Sequence, residues 1–382
     1  MSAPPLSVSV SVIERKGLRP RQRFDLNHRE ATEMMPNRFA TAVAAAFLAG
    51  AAGASAQELV SAPTSVSPVI DGVIDSAWDA ATPTAVTVDL HPYKPSNGYD
   101  GVTESTVTLR ALHDDTTLYM LIQWNDPTQS LERMPWVKQA DGAWKQLKNP
   151  DDTGHENTYY EDKFAVLWDI NARGFEKKGC AAACHMADGG MIDGIEAKSP
   201  GRKFTVAEGQ TIDMWHWKSV RAEPVGQIDD QYIDHNTDAA KNSGWGRHGD
   251  SKTGGGYSNN VSEDKKTPAF MPKDGATGAF WLAKSDAVPF NDTFAAGDVL
   301  PGILISPFEG SRGDIASAAV WADGKWTVEV RRALVTTGEN AAAQDVQFSD
   351  LSKAYPFGVA VFDNAAINHA YHEGVLTLKF GG

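Results

Sequence analysis

The clearest structural signal in the chain lies in residues 102–124, VTESTVTLRALHDDTTLYMLIQW. Apolar and polar side chains alternate in both halves of this segment, for example at Val107, Leu109 and Ala111 in the first half. The polar segment 113–117 separates the two halves. Because a period of two residues is typical of a half-buried β-strand, the segment predicts a β-hairpin.

Other apolar segments also predict strands. Residues 164–170 form a nearly continuous apolar run, which is typical of a strand buried on both faces. Further strand signals lie at 300–305, 318–321, 326–331, 357–362 and 375–380. Helical periodicity is scarce, and Gly, Pro and Asp interrupt the apolar runs at short intervals. The sequence therefore predicts an all-β fold, with a β-sandwich as its architecture.

Residues 186–278 differ from the rest of the chain in composition. They are rich in Gly, Asp, Lys, Ser and Asn, which predicts a long loop-rich insertion. The aromatic residues Trp215, Trp217, Tyr232 and Trp245 remain in this segment, whereas disordered linkers are usually poor in aromatic residues. We therefore expect a partly ordered insertion that wraps around a bound group. The alternative is a surface excursion whose tryptophans fill a small core of their own.

The N-terminal residues 1–56 are predicted to be a leader. Within residues 35–56, Arg38 precedes an apolar run that ends at Ala54-Ser55-Ala56. This order of basic, apolar and small residues predicts a signal peptide that is cleaved after Ala56. We therefore expect a periplasmic protein in which residues 57–382 form a single domain.

The charge balance limits the possible partners. The 382 residues include 49 acidic and 35 basic side chains, which gives a formal net charge of −14. A chain this acidic is a poor candidate for binding nucleic acid or anionic membranes. The acidic surface suits either a basic docking face on a protein partner or solubility alone. No segment of the mature chain reaches the roughly 20 apolar residues of a transmembrane helix, so no membrane span is expected.

Both cysteines of the chain lie in one short motif, Gly179-Cys180-Ala181-Ala182-Ala183-Cys184-His185. This is the C-x-x-C-H haem attachment pattern with one additional spacer residue. Two thiols can add to the two vinyl groups of a porphyrin, and the following histidine can ligate the iron. A local disulfide would leave His185 without a role, and a zinc site would need further thiol or imidazole ligands. The motif predicts one covalently attached haem c, with Cys180 and Cys184 as thioethers and His185 as an axial ligand.

A family resemblance runs through most of the chain. It is carried by the segments VIDGVIDSAW (69–78), YEDKFAVLW (160–168), WADGKWTVE (321–329) and FGVAVFDN (357–364). In this order they resemble the haem-binding domain of the ethylbenzene dehydrogenase γ-subunit family, also described as the cytochrome c-552/DMSO reductase-like haem-binding domain. The resemblance implies a β-sandwich with one haem. It also implies electron transfer as a subunit of a molybdenum enzyme of the dimethyl sulfoxide reductase type, or as a free-standing relative.

The chain departs from the γ-subunits in its haem ligands. Those subunits bind a b-type haem through a Met and a Lys, without thioethers, whereas this chain has the cysteine motif and resembles a c-type branch. The family places its Lys ligand near the C-terminus, where this chain has His369 and His372. In an extended segment these two side chains point to opposite faces, so only one can reach the iron. The family position favours His369, with His372 as the alternative and His216, between two tryptophans, as the third candidate.

Two histidine ligands would leave the iron without an open coordination position, which favours electron transfer over catalysis. The chain contains no G-x-S-x-G, P-loop, H-E-x-x-H or dinucleotide-binding motif, so no independent catalytic activity is expected. We therefore predict a periplasmic mono-haem cytochrome c that exchanges electrons with a molybdoenzyme subunit or a membrane cytochrome. One alternative is a carbohydrate-binding sandwich without haem, because segment 71–78 resembles the opening segment of such sandwiches. The other alternative is a haem enzyme with an open iron position.

Overall fold

Short β-strands dominate the fold of this chain. The computed structural model describes residues 57–89, 99–148, 158–185, 191–192, 195–196, 202–278, 280–338 and 340–382. The predicted leader 1–56 lies outside the described residues.

The strands of the first part of the chain are β1 (Gln57–Pro63), β2 (Thr84–Asp89), β3 (Glu104–His113), β4 (Thr117–Asn125), β5 (Trp136–Lys138), β6 (Trp144–Gln146), β7 (Lys163–Asp169), β8 (Cys184–His185), β9 (Met191–Ile192), β10 (Ile195–Glu196), β11 (Arg202–Lys203), β12 (Ile212–Lys218) and β13 (Asp229–Ile233). Those of the second part are β14 (Arg247–Gly249), β15 (Gly254–Gly255), β16 (Ser258–Asn259), β17 (Phe270–Pro272), β18 (Leu282–Ala283), β19 (Ala287–Pro289), β20 (Val299–Leu300), β21 (Ile303–Ile305), β22 (Phe308–Glu309), β23 (Ala316–Ala322), β24 (Lys325–Ala333), β25 (Ala354–Phe362), β26 (Ala370–Tyr371) and β27 (Leu376–Phe380). Two single-turn α-helices are described, α1 (Phe175–Lys178) and α2 (Ala341–Gln344).

Thirteen of these strands form one large sheet. Its main path runs β14-β13-β12-β7-β25-β26-β2-β3-β4-β24-β23. The strands β1 and β27 pair with each other. In addition, β27 pairs with β25, and β1 pairs with β3. The pairings therefore close a ring, and the sheet curls around a core. The predicted all-β fold is confirmed.

The predicted hairpin is formed by β3 and β4. They pair antiparallel, with Val107 opposite Trp124. At the turn, Asp114 Oδ1 accepts hydrogen bonds from the backbone N–H groups of Thr116 and Thr117. An aspartate that binds the backbone in this way stabilises a tight turn. The alternating apolar side chains of β3 are buried, as their period predicts.

A cluster of aromatic rings fills the main core between the two halves of the sheet. Trp124 of β4 stacks on Phe164 of β7 with ring centroids 5.2 Å apart. Trp217 of β12 packs against Trp326 of β24 at 4.9 Å. Since β4 and β24 are not paired with β7 and β12, these contacts cross the core as in a sandwich.

Residues 186–278 contribute more regular structure than their composition indicates. β12 is buried at every residue and lies between β7 and β13 in the large sheet. Charged residues such as Asp213 and Lys218 interrupt the apolar pattern of β12, so sequence reasoning missed this strand. The other described parts of the segment are loops and short strands. The division of the chain into a leader and one mature domain stays a prediction.

Candidate functional site

The strands β7, β12 and β25 are buried on both faces. One face packs against the main core, and we call the other the second face. His216 of β12 lies opposite Ala165 of β7, which lies opposite Ala360 of β25. Residues that pair in register point to the same side of a sheet, so these three share the second face. Ala165 and Ala360 belong to a buried apolar cluster there.

Cys180 lies on the second face. The short helix α1 and the 3₁₀ turn Cys180–Ala182 bring its thiol into the apolar cluster of that face. The side chain is 2% exposed. A Cβ added at Gly358 of β25 would collide with Cys180 Sγ, so the thiol packs directly on the backbone of the strand. A larger residue at position 358 would displace the cysteine loop.

The cysteine loop is connected to the C-terminal segment through two glycines. Gly179 forms a β-bridge with Gly374, and it has a φ of +53°. A Cβ at Gly179 would overlap the carbonyl oxygen of Gly374. Glycine is required here because it tolerates a positive φ and leaves room for the second backbone. This contact joins the cysteine loop to the segment that contains His369 and His372.

The remaining part of the motif is described through its backbone. β8 pairs antiparallel with β11, so Cys184 lies opposite Lys203. The side chains of Cys184 and His185 lie outside the described part of the chain. Their roles as a thioether and an axial ligand therefore stay predictions.

His369 has the geometry of a metal-binding imidazole. Its ring is 4% exposed and stacks on Phe362, with centroids 4.5 Å apart. Nδ1 lies 2.7 Å from the carbonyl oxygen of Ile367. If Nδ1 donates its proton to that carbonyl, Nε2 keeps its lone pair, which is the usual arrangement of a metal-ligating histidine. Burial, with repulsion from Lys203, lowers the pKa of His369 to about 3, so the imidazole is neutral at physiological pH.

His372, the alternative ligand, contacts a different strand. Its side chain is half-buried, and Nδ1 lies 3.2 Å from the carbonyl oxygen of Thr87 in β2. Its backbone N–H donates to the carbonyl oxygen of Val359 at 3.0 Å. The structure therefore places His369, rather than His372, against Phe362 on the second face.

His216, the third candidate, is buried in an unusual state. It is 5% exposed and lies 5.7 Å from the ring of Phe362. Neither ring nitrogen has a hydrogen-bond partner among the described residues. Burial and the charge of Lys218 hold the pKa of His216 well below its usual value. An unpaired buried polar group destabilises a fold by about 1–3 kcal/mol. A ligand bound to this imidazole would remove that penalty.

The tryptophans beside His216 do not point toward it. Trp215 and Trp217 alternate with His216 along β12 and belong to the main core. Trp215 and Trp217 therefore line the main core and not the second face, because neighbouring side chains of a strand point to opposite faces.

Lys163 is a site residue that sequence reasoning missed. It begins β7, is 2% exposed, and its Nζ lies 4.1 Å from the centroid of the Phe362 ring. Nζ also donates to the carbonyl oxygen of Ala366 at 3.2 Å. Burial, with repulsion from Arg221, holds the pKa of Lys163 well below its usual value. The sequence signal that could have identified this residue is its position directly before the apolar run 164–170.

The described residues of the second face fit a haem in chemical type. They provide a buried thiol, two neutral imidazoles and the small residues Ala165 and Ala360. Lys163 adds a buried amino group that could donate a hydrogen bond to a propionate.

The fold and this site define an all-β protein with thiol and imidazole groups gathered on one buried sheet face. Residues 75–374 match the family model described as "Ethylbenzene dehydrogenase". The chain therefore belongs to the ethylbenzene dehydrogenase family. A comparison with curated proteins finds no match. Among the described residues, no helix is long and apolar enough to cross a membrane.

Solved structures similar to this chain include carbohydrate-binding proteins. A family 9 carbohydrate-binding module from Caldicellulosiruptor kristjanssonii, in complex with glucose, has 10% sequence identity and a TM-score of 0.31, covering 85% of this chain and 96% of that chain. A putative carbohydrate-binding protein from Bacteroides uniformis has 10% identity and a TM-score of 0.34, covering 86% and 100%. At these TM-scores the similarity carries no argument about function.

Proposed function

We propose that this chain is a periplasmic electron carrier that binds one haem c. Cys180 and Cys184 would hold the porphyrin through thioethers, and His185 and His369 would be the axial ligands. A haem bound there would supply one-electron redox chemistry. Two protein ligands would fill both axial positions, which supports electron transfer rather than catalysis.

The observation that carries this proposal is that Cys180 and His369 both pack on β25. Cys180 packs on Gly358 of β25, and His369 stacks on Phe362 of the same strand. The bridge between Gly179 and Gly374 holds the two segments together. Residues that are far apart in the sequence therefore meet on one buried surface, and they are the residue types that attach and ligate a haem.

The surrounding residues would orient the ligand and exclude water. The ring of Phe362 limits the rotation of His369, and the carbonyl of Ile367 selects its tautomer. Because His369 is buried, its pKa of about 3 prevents protonation from competing with ligation at neutral pH. Low solvent access also tunes a redox potential, since it disfavours the more highly charged oxidation state.

The partner is proposed from the family. Membership of the ethylbenzene dehydrogenase family supports a place in a multi-subunit oxidoreductase, and we propose a molybdoenzyme subunit or a membrane cytochrome as the partner. The net charge of −14 suits a partner with a basic docking face. The signal peptide predicted in residues 35–56 would direct the chain to the periplasm, where c-type haem attachment would follow export.

Mass spectrometry tests haem attachment directly. The full chain would be expressed in a host with the haem attachment machinery, and the processed polypeptide should carry the added mass of one haem. Its colour should survive acid-acetone extraction. A Cys180→Ala and Cys184→Ala double variant should lose the covalent haem. A colourless wild-type protein of unmodified mass would contradict the proposal and favour a non-haem binding module.

Single histidine variants test the second ligand. Wild type should show a low-spin, six-coordinate spectrum, and His369→Ala should lose it. His372→Ala is the matched control because it lies three residues away and should leave the spectrum unchanged. A change in His372→Ala or His216→Ala, with none in His369→Ala, would move the ligand to that residue. Carbon monoxide binding to wild type without displacement of a protein ligand would favour a haem enzyme instead.

A further inference from the structure

A second buried site lies on the opposite side of β12 from the candidate haem site. It contains Asp213 of β12, Asp230 of β13 and Asp345 after α2. Each of these residues is at most 1% exposed. Each offers one carboxylate oxygen to a group in which all the atoms lie within 4.8 Å of one another. Three acids separated along the chain therefore converge in the interior.

Each of the three carboxylates uses one oxygen to accept hydrogen bonds. Asp213 Oδ2 accepts from the backbone N–H of Val346 at 2.9 Å and from Trp215 Nε1 at 3.1 Å. Asp230 Oδ1 accepts from the N–H of Gln231 at 3.0 Å, and Asp345 Oδ2 accepts from the hydroxyl of Thr336. These bonds orient the three side chains.

The other oxygen of each carboxylate has no hydrogen-bond partner among the described residues. These atoms are Asp213 Oδ1, Asp230 Oδ2 and Asp345 Oδ1. Asp250, which is 3% exposed and follows β14, has no donor for either oxygen among the described residues, and its side chain faces that of Asp345. Buried polar atoms are nearly always paired, so several unpaired carboxylate oxygens at one place indicate a missing cation or proton.

The protein supplies too little positive charge to this cluster. Arg332 Nη2 lies 3.7 Å from Asp213 Oδ2 and 4.0 Å from Asp345 Oδ2. Its Nη1 donates to the carbonyl oxygen of Val346 at 2.9 Å instead of to a carboxylate. Asp213, Asp230 and Asp345 thus face the single guanidinium of Arg332, and an uncompensated charge in the interior is costly.

We propose that Asp213, Asp230 and Asp345 bind one calcium ion, with Asp250 as a further ligand or charge partner. Calcium takes six to eight oxygen ligands at about 2.3–2.6 Å, so two ligands of one ion lie at most about 5 Å apart. The three converging oxygens satisfy that limit. Magnesium requires a more regular octahedron and keeps several waters, which suits a buried carboxylate cage less well. This site is independent of the proposed haem.

The site has a structural role in the fold. It joins the neighbouring strands β12 and β13 to the segment after α2, which is far from both in the sequence.

The test uses the full processed chain after dialysis against a chelator. Isothermal titration with calcium chloride should show one ion bound per chain. Calcium in excess should raise the unfolding midpoint by about 5 °C. No heat and no shift of the midpoint would overturn the proposal.

Terbium provides a test that needs no variant. Because Trp215 Nε1 binds Asp213, excitation of tryptophan should sensitise terbium luminescence, and calcium should quench it by displacement. Asp230→Asn should weaken calcium binding at least tenfold. Asp126→Asn, in a separate buried acidic cluster, is the matched control and should bind calcium as wild type does. Unchanged binding by Asp230→Asn, or a loss in Asp126→Asn alone, would contradict the assignment. If Asp230→Asn does not fold, the terbium competition with wild type decides.

Discussion

His369 and Phe362 stack in the second face with an interplanar angle of 25°. Phe362 is the last residue of β25, and His369 lies just before β26, the next strand of the sheet. The same ring also contacts His216 and Lys163. Phe362 therefore packs against both imidazoles of the candidate site.

Phe362→Ala should destabilise the chain and loosen His369. Deleting a buried phenylalanine ring costs about 3–5 kcal/mol, because both packing and apolar burial are lost. Urea denaturation should show this loss, and the haem-loaded variant should show a broadened low-spin spectrum. Leucine fills more of the space, so Phe362→Leu should lose less than half as much free energy of unfolding as Phe362→Ala. Equal stability of Phe362→Ala and wild type would show that the stacking is not maintained in solution.

Gly179→Ala should displace the cysteine loop. The added methyl group would overlap the carbonyl oxygen of Gly374, and φ is +53°. We expect a large loss of haem incorporation, measured as haem per polypeptide. Gly174→Ala is the control because Gly174 also has a positive φ, +89°, but no atom lies within 4 Å of the added methyl group. That variant should lose only about 1 kcal/mol of stability and keep its haem. Similar haem loading of both variants would contradict the role of the bridge.

Asp126→Asn should change how stability depends on pH. Burial, with repulsion from Asp162 and Asp363, raises the pKa of Asp126 to about 9. Because the pKa of Asp126 in the folded state exceeds the unfolded value of 3.8, the folded state keeps a proton on Asp126 at pH values where the unfolded state has lost it. That contribution to stability is fully present below the unfolded pKa and is lost as pH rises toward 9.

The Asn side chain is neutral at every pH, so the stability of this variant does not fall with pH in this way. Relative to wild type, its free energy of unfolding should rise with pH between 5 and 8 by up to about 1.4 kcal/mol per unit. Urea titrations at several pH values measure the difference. The exposed Asp115→Asn should show no such trend. A constant difference between Asp126→Asn and wild type would mean that Asp126 is ionised in the fold.

Glu161→Gln should be strongly destabilising. The carboxylate is fully buried and accepts hydrogen bonds from the backbone N–H groups of Val220 and Arg221 at 2.9 Å each. It also pairs with the side chain of Arg221, whose charge holds the pKa of Glu161 below its usual value against the effect of burial. Removing one partner leaves a buried charge uncompensated, which costs about 3–5 kcal/mol. Chemical denaturation should show this cost, whereas the exposed Glu104→Gln should stay within about 0.5 kcal/mol of wild type.

The local patterns of the sequence predicted the fold class and several strands. The hairpin of residues 102–124 was predictable because a period of two residues needs only neighbouring side chains to be recognised. β7 was predictable because its apolar run is nearly unbroken. β12 was not predictable, because its charged residues interrupt the apolar pattern. These residues are nevertheless buried, since other segments of the chain pack against them.

The site shows the same division. The spacing of Cys180, Cys184 and His185 is a local property, so the sequence by itself determined the haem attachment prediction. Only the tertiary structure decided that His369 packs against Phe362 while His372 contacts β2. It also decided which acids converge, since Asp213 and Asp345 meet only through the pairing of distant segments. The physical reason is that burial and electrostatic repulsion depend on distances in space, which spacing along the chain does not specify.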